Sequence, residues 1–389
     1  MIMKVWVRGI LIGLMVVFSP LSNAADENFD VYVFANTTYD DNVFRVANSA
    51  EALAQNGTTT QDDIEITYGV GANIKIPVSR QQFNFDAELR RTNFDRFSQL
   101  DNNNGQFNGE WQWALASRAS GTLGYKYDRR LTDFFEFQSA IRDTEVDQNF
   151  YGRANIPVHR RWTLVVGAES QDVSFSERQF LDRDTATISG EVLFETRAKT
   201  FVGVRVRESA TEFDDNFVAS NDFDESEYGI VVRWDASGHS RFSGSLSRTD
   251  RDPDNPASGD FSGGTWDLDY RRFISGKTYV DFSVFRETTL LNEVAGLVVS
   301  KGAEVIPLWN ISPKLSFRGQ LRYEQRDFEA AVLNSGRSDD LLTIAARFNY
   351  RLNRAFSLNL GVSDRSRNSN IDNAEFDQTE LNVGLRLNI

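Results

Sequence analysis

The chain has 389 residues, a formal net charge of −14 at pH 7, no cysteine and 30 phenylalanines. Its aromatic content of 12% is too high for a disordered chain. It lacks the several runs of about 20 apolar residues that a helical membrane protein needs. The absence of cysteine excludes disulfides and thiolate metal sites, and the acidic balance argues against a nucleic-acid partner.

The first 24 residues are typical of a cleavable secretory signal peptide. Lys4 and Arg8 precede an apolar run, residues 9–18, which is followed by Pro20. Small residues, Ser22 and Ala24, stand at positions −3 and −1 before the expected cleavage site. We therefore predict a signal peptide at residues 1–24 and a mature chain of residues 25–389; an uncleaved anchor helix is the alternative.

Alternation of apolar and polar residues with period two dominates the mature chain. Near the C-terminus, Leu381, Val383 and Leu385 share one face, while Asn382 and Gly384 share the other. Successive side chains of a β-strand point to opposite faces, so this pattern predicts strands. We place 18 strands near residues 29–39, 62–75, 80–94, 105–117, 119–129, 144–156, 161–174, 185–195, 199–211, 225–235, 239–249, 261–272, 277–287, 294–306, 313–326, 340–351, 355–366 and 377–389. The segment 294–306 alternates poorly, so a count of 16 stays open.

The connections between the predicted strands alternate in character. Residues 77–80 and 236–239 are examples of short turns, whereas residues 40–62 and 130–143 form long loops rich in Asp and Asn. Short turns at one end and long loops at the other are typical of outer-membrane β-barrels. We predict an all-β fold, a transmembrane antiparallel up-and-down β-barrel with both chain ends in the periplasm. A large soluble β-sandwich, propeller or β-helix is the alternative.

The polar face of the predicted strands carries too many charges for a packed protein core. Burial of each unpaired ion would cost several kcal/mol, whereas a water-filled lumen accommodates them. The residues that we predict to line this lumen are Asp86, Glu88, Arg90, Lys126, Glu169, Arg205, Arg207, Arg233, Asp267, Asp269, Asp281, Arg318, Arg322, Arg347 and Arg386.

Residues that could carry catalysis are few. The two histidines, His159 and His239, fall in two separate predicted short turns, and no serine has a credible base. Residues 250–261 place Asp at alternate positions, but they lack the glycine and the final glutamate of a calcium loop. We therefore expect no enzyme activity, no catalytic residue, no cofactor and no metal site; an outer-membrane hydrolase is a minor alternative.

A short motif near the mature N-terminus suggests a family. Residues 38–45 read Thr-Tyr-Asp-Asp-Asn-Val-Phe-Arg. Two later segments that combine aromatic, acidic and arginine residues, 91–97 and 321–328, also contribute to the resemblance. With these segments the mature chain resembles the putative β-barrel porin 2 family, including EpsL-type barrels encoded with exosortase and extracellular-polysaccharide clusters. The motif residues are Tyr39, Asp40, Asp41, Asn42, Phe44 and Arg45. The chain departs from many outer-membrane barrels in ending with Ile389 rather than phenylalanine.

The resemblance implies a Gram-negative outer-membrane barrel that exports an extracellular polysaccharide, such as a biofilm matrix component. The expected partners are outer-membrane lipid and lipopolysaccharide, the polysaccharide cargo, and periplasmic or inner-membrane export proteins, with no nucleic acid. The alternative function is a structural or adhesive barrel whose lumen is plugged and whose loops bind matrix polysaccharide or a partner. In that alternative, residues 40–62 are the expected plug.

Overall fold

Eighteen antiparallel strands form one sheet in the computed structural model. The structure describes residues 28–116, 118–135, 138–214, 221–255, 260–290, 297–328 and 336–389, and the predicted signal peptide lies outside these ranges. The strands are β1 Phe29–Asp40, β2 Asp63–Val78, β3 Gln81–Phe94, β4 Asn102–Leu115, β5 Ala119–Leu131, β6 Thr144–His159, β7 Trp162–Phe175, β8 Arg183–Glu195, β9 Thr200–Phe213, β10 Phe223–Ser237, β11 Ser240–Pro253, β12 Phe261–Ser275, β13 Thr278–Thr289, β14 Val298–Asn310, β15 Leu315–Phe328, β16 Ser338–Arg351, β17 Phe356–Ser369 and β18 Phe376–Asn388.

The sheet closes on itself into a barrel. Each strand pairs with its neighbours in chain order, and β1 pairs with both β2 and β18. Thr37, for example, lies opposite Ile66 on one side and Val383 on the other. Closure leaves no unpaired edge strand. In a hydrocarbon environment every backbone amide and carbonyl must be hydrogen-bonded within the protein, and closure meets this requirement. The predicted all-β antiparallel barrel and its count of 18 strands are confirmed.

Short turns and longer loops alternate around the barrel and define two ends. The turn between β2 and β3 contains only Ser79 and Arg80, and Ser79 adopts a left-handed φ of 58°, as tight hairpin turns require. At the other end, the first outer loop (residues 41–62) contains the helix α1, Ser49–Asn56. The third outer loop (residues 132–143) connects β5 to β6. Among the described residues, no helix is long and apolar enough to cross a membrane.

Strand β14 ends later than the sequence pattern predicts, and residues 294–296 of the predicted strand lie outside the described ranges. It covers Val298–Asn310, whereas the predicted strand ends at residue 306, and it passes through Pro307. A proline has no amide hydrogen for the ladder, and the pairing of β14 with β15 is interrupted at Ile306 and Pro307. Pro307 resembles the start of a turn in the sequence, whereas the ladder accommodates it within the strand.

The outward face of the barrel is apolar and exposed. On β18, Leu381, Val383 and Leu385 are each about half exposed, and the same holds for alternate residues of the other strands. Trp111, Trp162 and other exposed aromatic residues lie toward the ends of their strands, as in the girdles of membrane barrels. The largest buried apolar cluster lies in the outer loops, so the described strands enclose no large hydrophobic core.

Candidate functional site

All fifteen predicted lumen residues lie in the strand phase opposite the exposed apolar residues. Arg347, for instance, pairs with Arg318 and Gly361, whereas the adjacent Phe348 is exposed in the apolar phase. By strand, the residues are Asp86, Glu88 and Arg90 on β3, Lys126 on β5, Glu169 on β7, Arg205 and Arg207 on β9, Arg233 on β10, Asp267 and Asp269 on β12, Asp281 on β13, Arg318 and Arg322 on β15, Arg347 on β16, and Arg386 on β18. Their part in conduction stays a prediction.

Ion pairs connect many inward-facing charges between strands that are adjacent or one strand apart. Glu191 on β8 accepts from Arg153 on β6 at 3.1 Å and from Arg233 on β10 at 2.7 Å. Arg271 and Asp281 pair at 2.5 Å between β12 and β13. Paired charges on a wetted wall hold side chains in place without the full desolvation cost of burial. Much of the polar wall is therefore an ordered network of paired charges.

Two tyrosines lie flat across glycines on this wall. Tyr151 covers Gly124, where an added Cβ would lie 2.4 Å from the ring, and its hydroxyl donates to Glu110 Oε2 at 3.0 Å. Tyr32 covers Gly71 in the same way and donates to Glu88 Oε2 at 2.9 Å. Each glycine is needed for this close approach, since any larger residue would lift the ring. We call each of these Tyr–Glu hydrogen bonds across a glycine a tyrosine bridge. The sequence pattern placed Glu88 on this face but did not predict the tyrosine bridges.

The family motif lies at the outer mouth of the barrel. Arg45 is buried, adopts a left-handed φ of 57°, and donates to Asp40 Oδ2 at 2.8 Å and to Glu380 at 3.3 Å. Burial acts to lower the pKa of Arg45, but the carboxylates of Asp40, Asp133 and Glu380 outweigh it, so the pKa is raised. The guanidinium therefore stays charged and fixes the start of the first outer loop.

The other motif residues complete this anchor. The Asn42 side chain donates to the carbonyl oxygens of Val46 and Asp377 at 2.8 Å each. The Asp41 carboxylate accepts the amide of Thr379 at 2.7 Å. Phe44 is fully buried, whereas Tyr39 is exposed on the outward face. Most of the motif thus serves loop anchoring at the mouth.

An apolar cluster joins three outer loops. Phe44 of the first outer loop contacts Phe97 and Phe134, with ring centroids 4.6 and 5.3 Å apart. Phe97 belongs to the loop between β3 and β4, and Phe134 belongs to the third outer loop. The Asn56 side chain accepts the amide of Ala140 at 2.8 Å, which also links the first outer loop to the third. The first outer loop therefore packs on its neighbours.

The third outer loop reaches the opposite wall of the barrel. The Phe135 ring lies 5.0 Å from the Arg326 guanidinium and 5.5 Å from the Phe376 ring. The Phe135 carbonyl accepts from Arg367 at 3.0 Å, and Asp133 faces Arg365 at 3.9 Å. Strand β15 lies nearly opposite the β5–β6 hairpin in the ring of strands. Seven strands lie between β5 and β15 one way round the ring, and eight lie between β6 and β15 the other way. The described part of this loop therefore extends across the mouth, and we call residues 132–135 and 138–143 the mouth strap.

The histidines lie apart from one another. His159 ends β6, and His239 lies in the turn between β10 and β11, so they occupy different hairpins at the turn end. Within the described residues, neither side chain contacts a carboxylate, and no group of three or more His, Asp or Glu side chains could hold a metal ion. The arrangement offers these histidines no shared site.

Comparisons with known proteins agree with a barrel of the porin type. The family model described as Putative beta-barrel porin 2 matches residues 249–389, from the outer part of β11 through β18. No curated protein matches the sequence significantly. OpdK of Pseudomonas aeruginosa, solved with vanillate, is 12% identical with a TM-score of 0.51, covering 93% of this chain and 99% of that one. OccK9 (OpdG) of the same organism gives the same values.

A third similar structure, OccK2 (OpdF) of Pseudomonas aeruginosa, is also 12% identical, with a TM-score of 0.50 over 93% of this chain and 98% of that one. At this identity the solved structures show the fold alone. The fold is that of an outer-membrane β-barrel, and the chain resembles the family described as Putative beta-barrel porin 2 over residues 249–389.

Proposed function

We propose that this chain forms an outer-membrane pore through which an extracellular polysaccharide is exported. The observation that carries the proposal is the closed ring of 18 strands, apolar outside and charged inside. Barrels of about 16–18 strands leave room for an aqueous channel, whereas smaller ones are filled by side chains. Export of a polymer, rather than uptake of a small solute, is supported by the resemblance of the N-terminal motif to EpsL-type barrels.

The inner wall suits passive guidance of a hydrophilic chain. Amides and hydroxyls such as Asn359, Ser363 and Asn382 face inward beside the charged residues. Such groups exchange hydrogen bonds between water and sugar hydroxyls at little net cost in free energy. Movement in one direction would then come from synthesis of the polymer at the inner membrane, with periplasmic or inner-membrane export proteins feeding the turn end of the barrel.

Two measurements test this proposal. The purified barrel in planar lipid bilayers should conduct ions, and its conductance should rise when residues 134–141 of the third outer loop are replaced by a short Gly-Ser linker. Deletion of the gene should stop secretion of the polysaccharide while its synthesis continues in the cell. The proposal would be contradicted if the purified barrel stays non-conducting after the strap is replaced and if cells that lack the gene still secrete the polysaccharide normally.

A second function, a structural or adhesive barrel with a plugged lumen, is favoured by the mouth strap. A loop that crosses the mouth and is held on the far wall by Phe135 would restrict a permanent channel. Under this alternative, the deletion strain secretes normally but loses surface attachment of the matrix. The same gene deletion therefore separates the two functions.

A further inference from the structure

Two arginines on the inner wall differ from the paired charges around them. Arg318 on β15 and Arg347 on β16 lie directly opposite each other in the strand register, and both are exposed. Within the described part of the chain, neither makes an ion pair or a side-chain hydrogen bond. Like charges directly opposite each other destabilise a sheet, so the repulsion between these two arginines lowers the stability of the barrel. No carboxylate among the described residues pairs with either arginine to offset this repulsion.

A recess of about 330 Å³ adjoins this arginine pair. Small-molecule sites typically begin near 300 Å³, so the recess is large enough for part of a polymer chain. Besides the two arginines, the side chains that line it include Gln320, Ser363, Glu380 and Asn382. The Glu380 carboxylate already accepts from Arg45 at 3.3 Å and from the Ser363 hydroxyl at 3.1 Å, so it is engaged within the protein.

Further basic residues continue from the recess to the turn end of the barrel. A second recess, of about 390 Å³, lies where β15–β18 meet their turns, and it is lined by Lys314, Arg351, Arg354 and Arg386 among amide and hydroxyl side chains. Arg386 pairs with Asp30 at 2.7 Å, whereas the Lys314 ammonium donates to the carbonyl of Leu352 at 3.2 Å. A chain entering at the turn end along these strands would meet cationic groups first.

We propose that Arg318 and Arg347 bind the carboxylates of an acidic polysaccharide, which makes the cargo of the pore a uronate-type polymer. The planar guanidinium matches a carboxylate with two parallel hydrogen bonds. The neighbouring amides and hydroxyls match the ring hydroxyls of a sugar, which a simple inorganic anion lacks. This inference rests on the proposed function, because it names the chemistry of the polymer that the pore exports.

Block of single-channel current tests the inference in the full chain. Oligogalacturonate, free galacturonate and neutral dextran of matched length are added at the turn end. The oligomer should block the wild-type barrel at far lower concentration than dextran. The Arg318→Gln/Arg347→Gln variant should raise the half-blocking concentration about 10- to 100-fold, the expected effect of losing charge-assisted hydrogen bonds. Arg160→Gln/Arg161→Gln, an equal charge change in the turn between β6 and β7, should leave it unchanged.

Several outcomes would overturn the assignment. Equal block by oligogalacturonate and dextran in a conducting barrel would refute the arginine site and leave the pore in place. Block by free galacturonate at the same concentration as the oligomer would indicate a site for small carboxylates instead. Calorimetric titration of the barrel in detergent with oligogalacturonate tests binding independently of conductance, and undetectable binding to the wild type would refute the site. Far-UV circular dichroism of each variant verifies that the barrel has folded.

Discussion

Removal of the Phe135 ring should open the outer mouth. The ring makes cation–π contacts with Arg326 at 5.0 Å and Arg367 at 5.5 Å, and an edge-to-face contact with Phe376 at 5.5 Å. At a wet site each cation–π contact contributes about 0.5–1 kcal/mol, and the ring pair contributes about 0.5–1.5 kcal/mol. Phe135→Ala therefore removes roughly 1.5–3.5 kcal/mol from the strap's attachment to the far wall. The hydrogen bond from Arg367 to the carbonyl of residue 135 remains.

That loss corresponds to a shift of about 10- to 300-fold in the ratio of detached to attached strap. The assay is single-channel recording in planar bilayers, where Phe135→Ala should increase the open probability or the mean conductance. Phe180→Ala removes an exposed phenylalanine from another outer loop and serves as the matched control. Identical conductance traces for wild type and Phe135→Ala, from a barrel that strap replacement does open, would show that these ring contacts do not hold the mouth.

Two further substitutions test how the wall and the loops are held. Gly124→Ala should lower the free energy of unfolding in urea, measured in detergent, by about 1–3 kcal/mol, because the new Cβ displaces the Tyr151 ring. Gly361→Ala is the control, because the atom nearest to its added Cβ is 3.6 Å away. Equal losses of stability in the two variants would refute the tyrosine bridge. Asp143→Ala removes a fully buried carboxylate that accepts from Arg178 at 2.8 Å and from the amide of Glu177 at 2.9 Å. Removing the carboxylate that pairs with this buried arginine should cost about 3–5 kcal/mol of local stability and make the outer loops more sensitive to protease in intact vesicles. Asp372→Ala in an exposed loop should not, and unchanged cleavage of the Asp143 variant would argue against a structural role for the pair.

The period-two pattern was sufficient to predict the barrel. Each strand must alternate because one face contacts lipid and the other contacts water, so Leu381 and Asn382 already indicate their faces in the sequence. The C-terminal end of β14 was harder to predict, because Pro307 resembles a turn residue although the ladder accommodates it. Local sequence signals cannot show that an interruption in pairing will fall at the proline.

Contacts across the mouth were beyond sequence reasoning. The pattern favoured the first outer loop as the plug, whereas the structure has that loop packed on neighbouring loops and brings Phe135 of the third outer loop to the far wall. Phe135 and Arg326 are far apart in the chain, and no periodicity relates a loop residue to a strand residue. The tyrosine bridges could not be predicted for a similar reason. In the sequence Tyr151 is one more residue of the polar face, and only the structure shows that Gly124 lies beneath its ring.

The account depends most on which strand face contacts water, and cysteine labelling measures this directly. The chain has no cysteine of its own, so single substitutions are clean reporters. In lipid vesicles, Ala345→Cys should react with a charged, membrane-impermeant thiol reagent that can diffuse into the barrel, while Ile344→Cys, one residue earlier on β16, should be protected by lipid. Rapid labelling of residue 344 with protection of residue 345 would contradict an apolar exterior around an aqueous lumen.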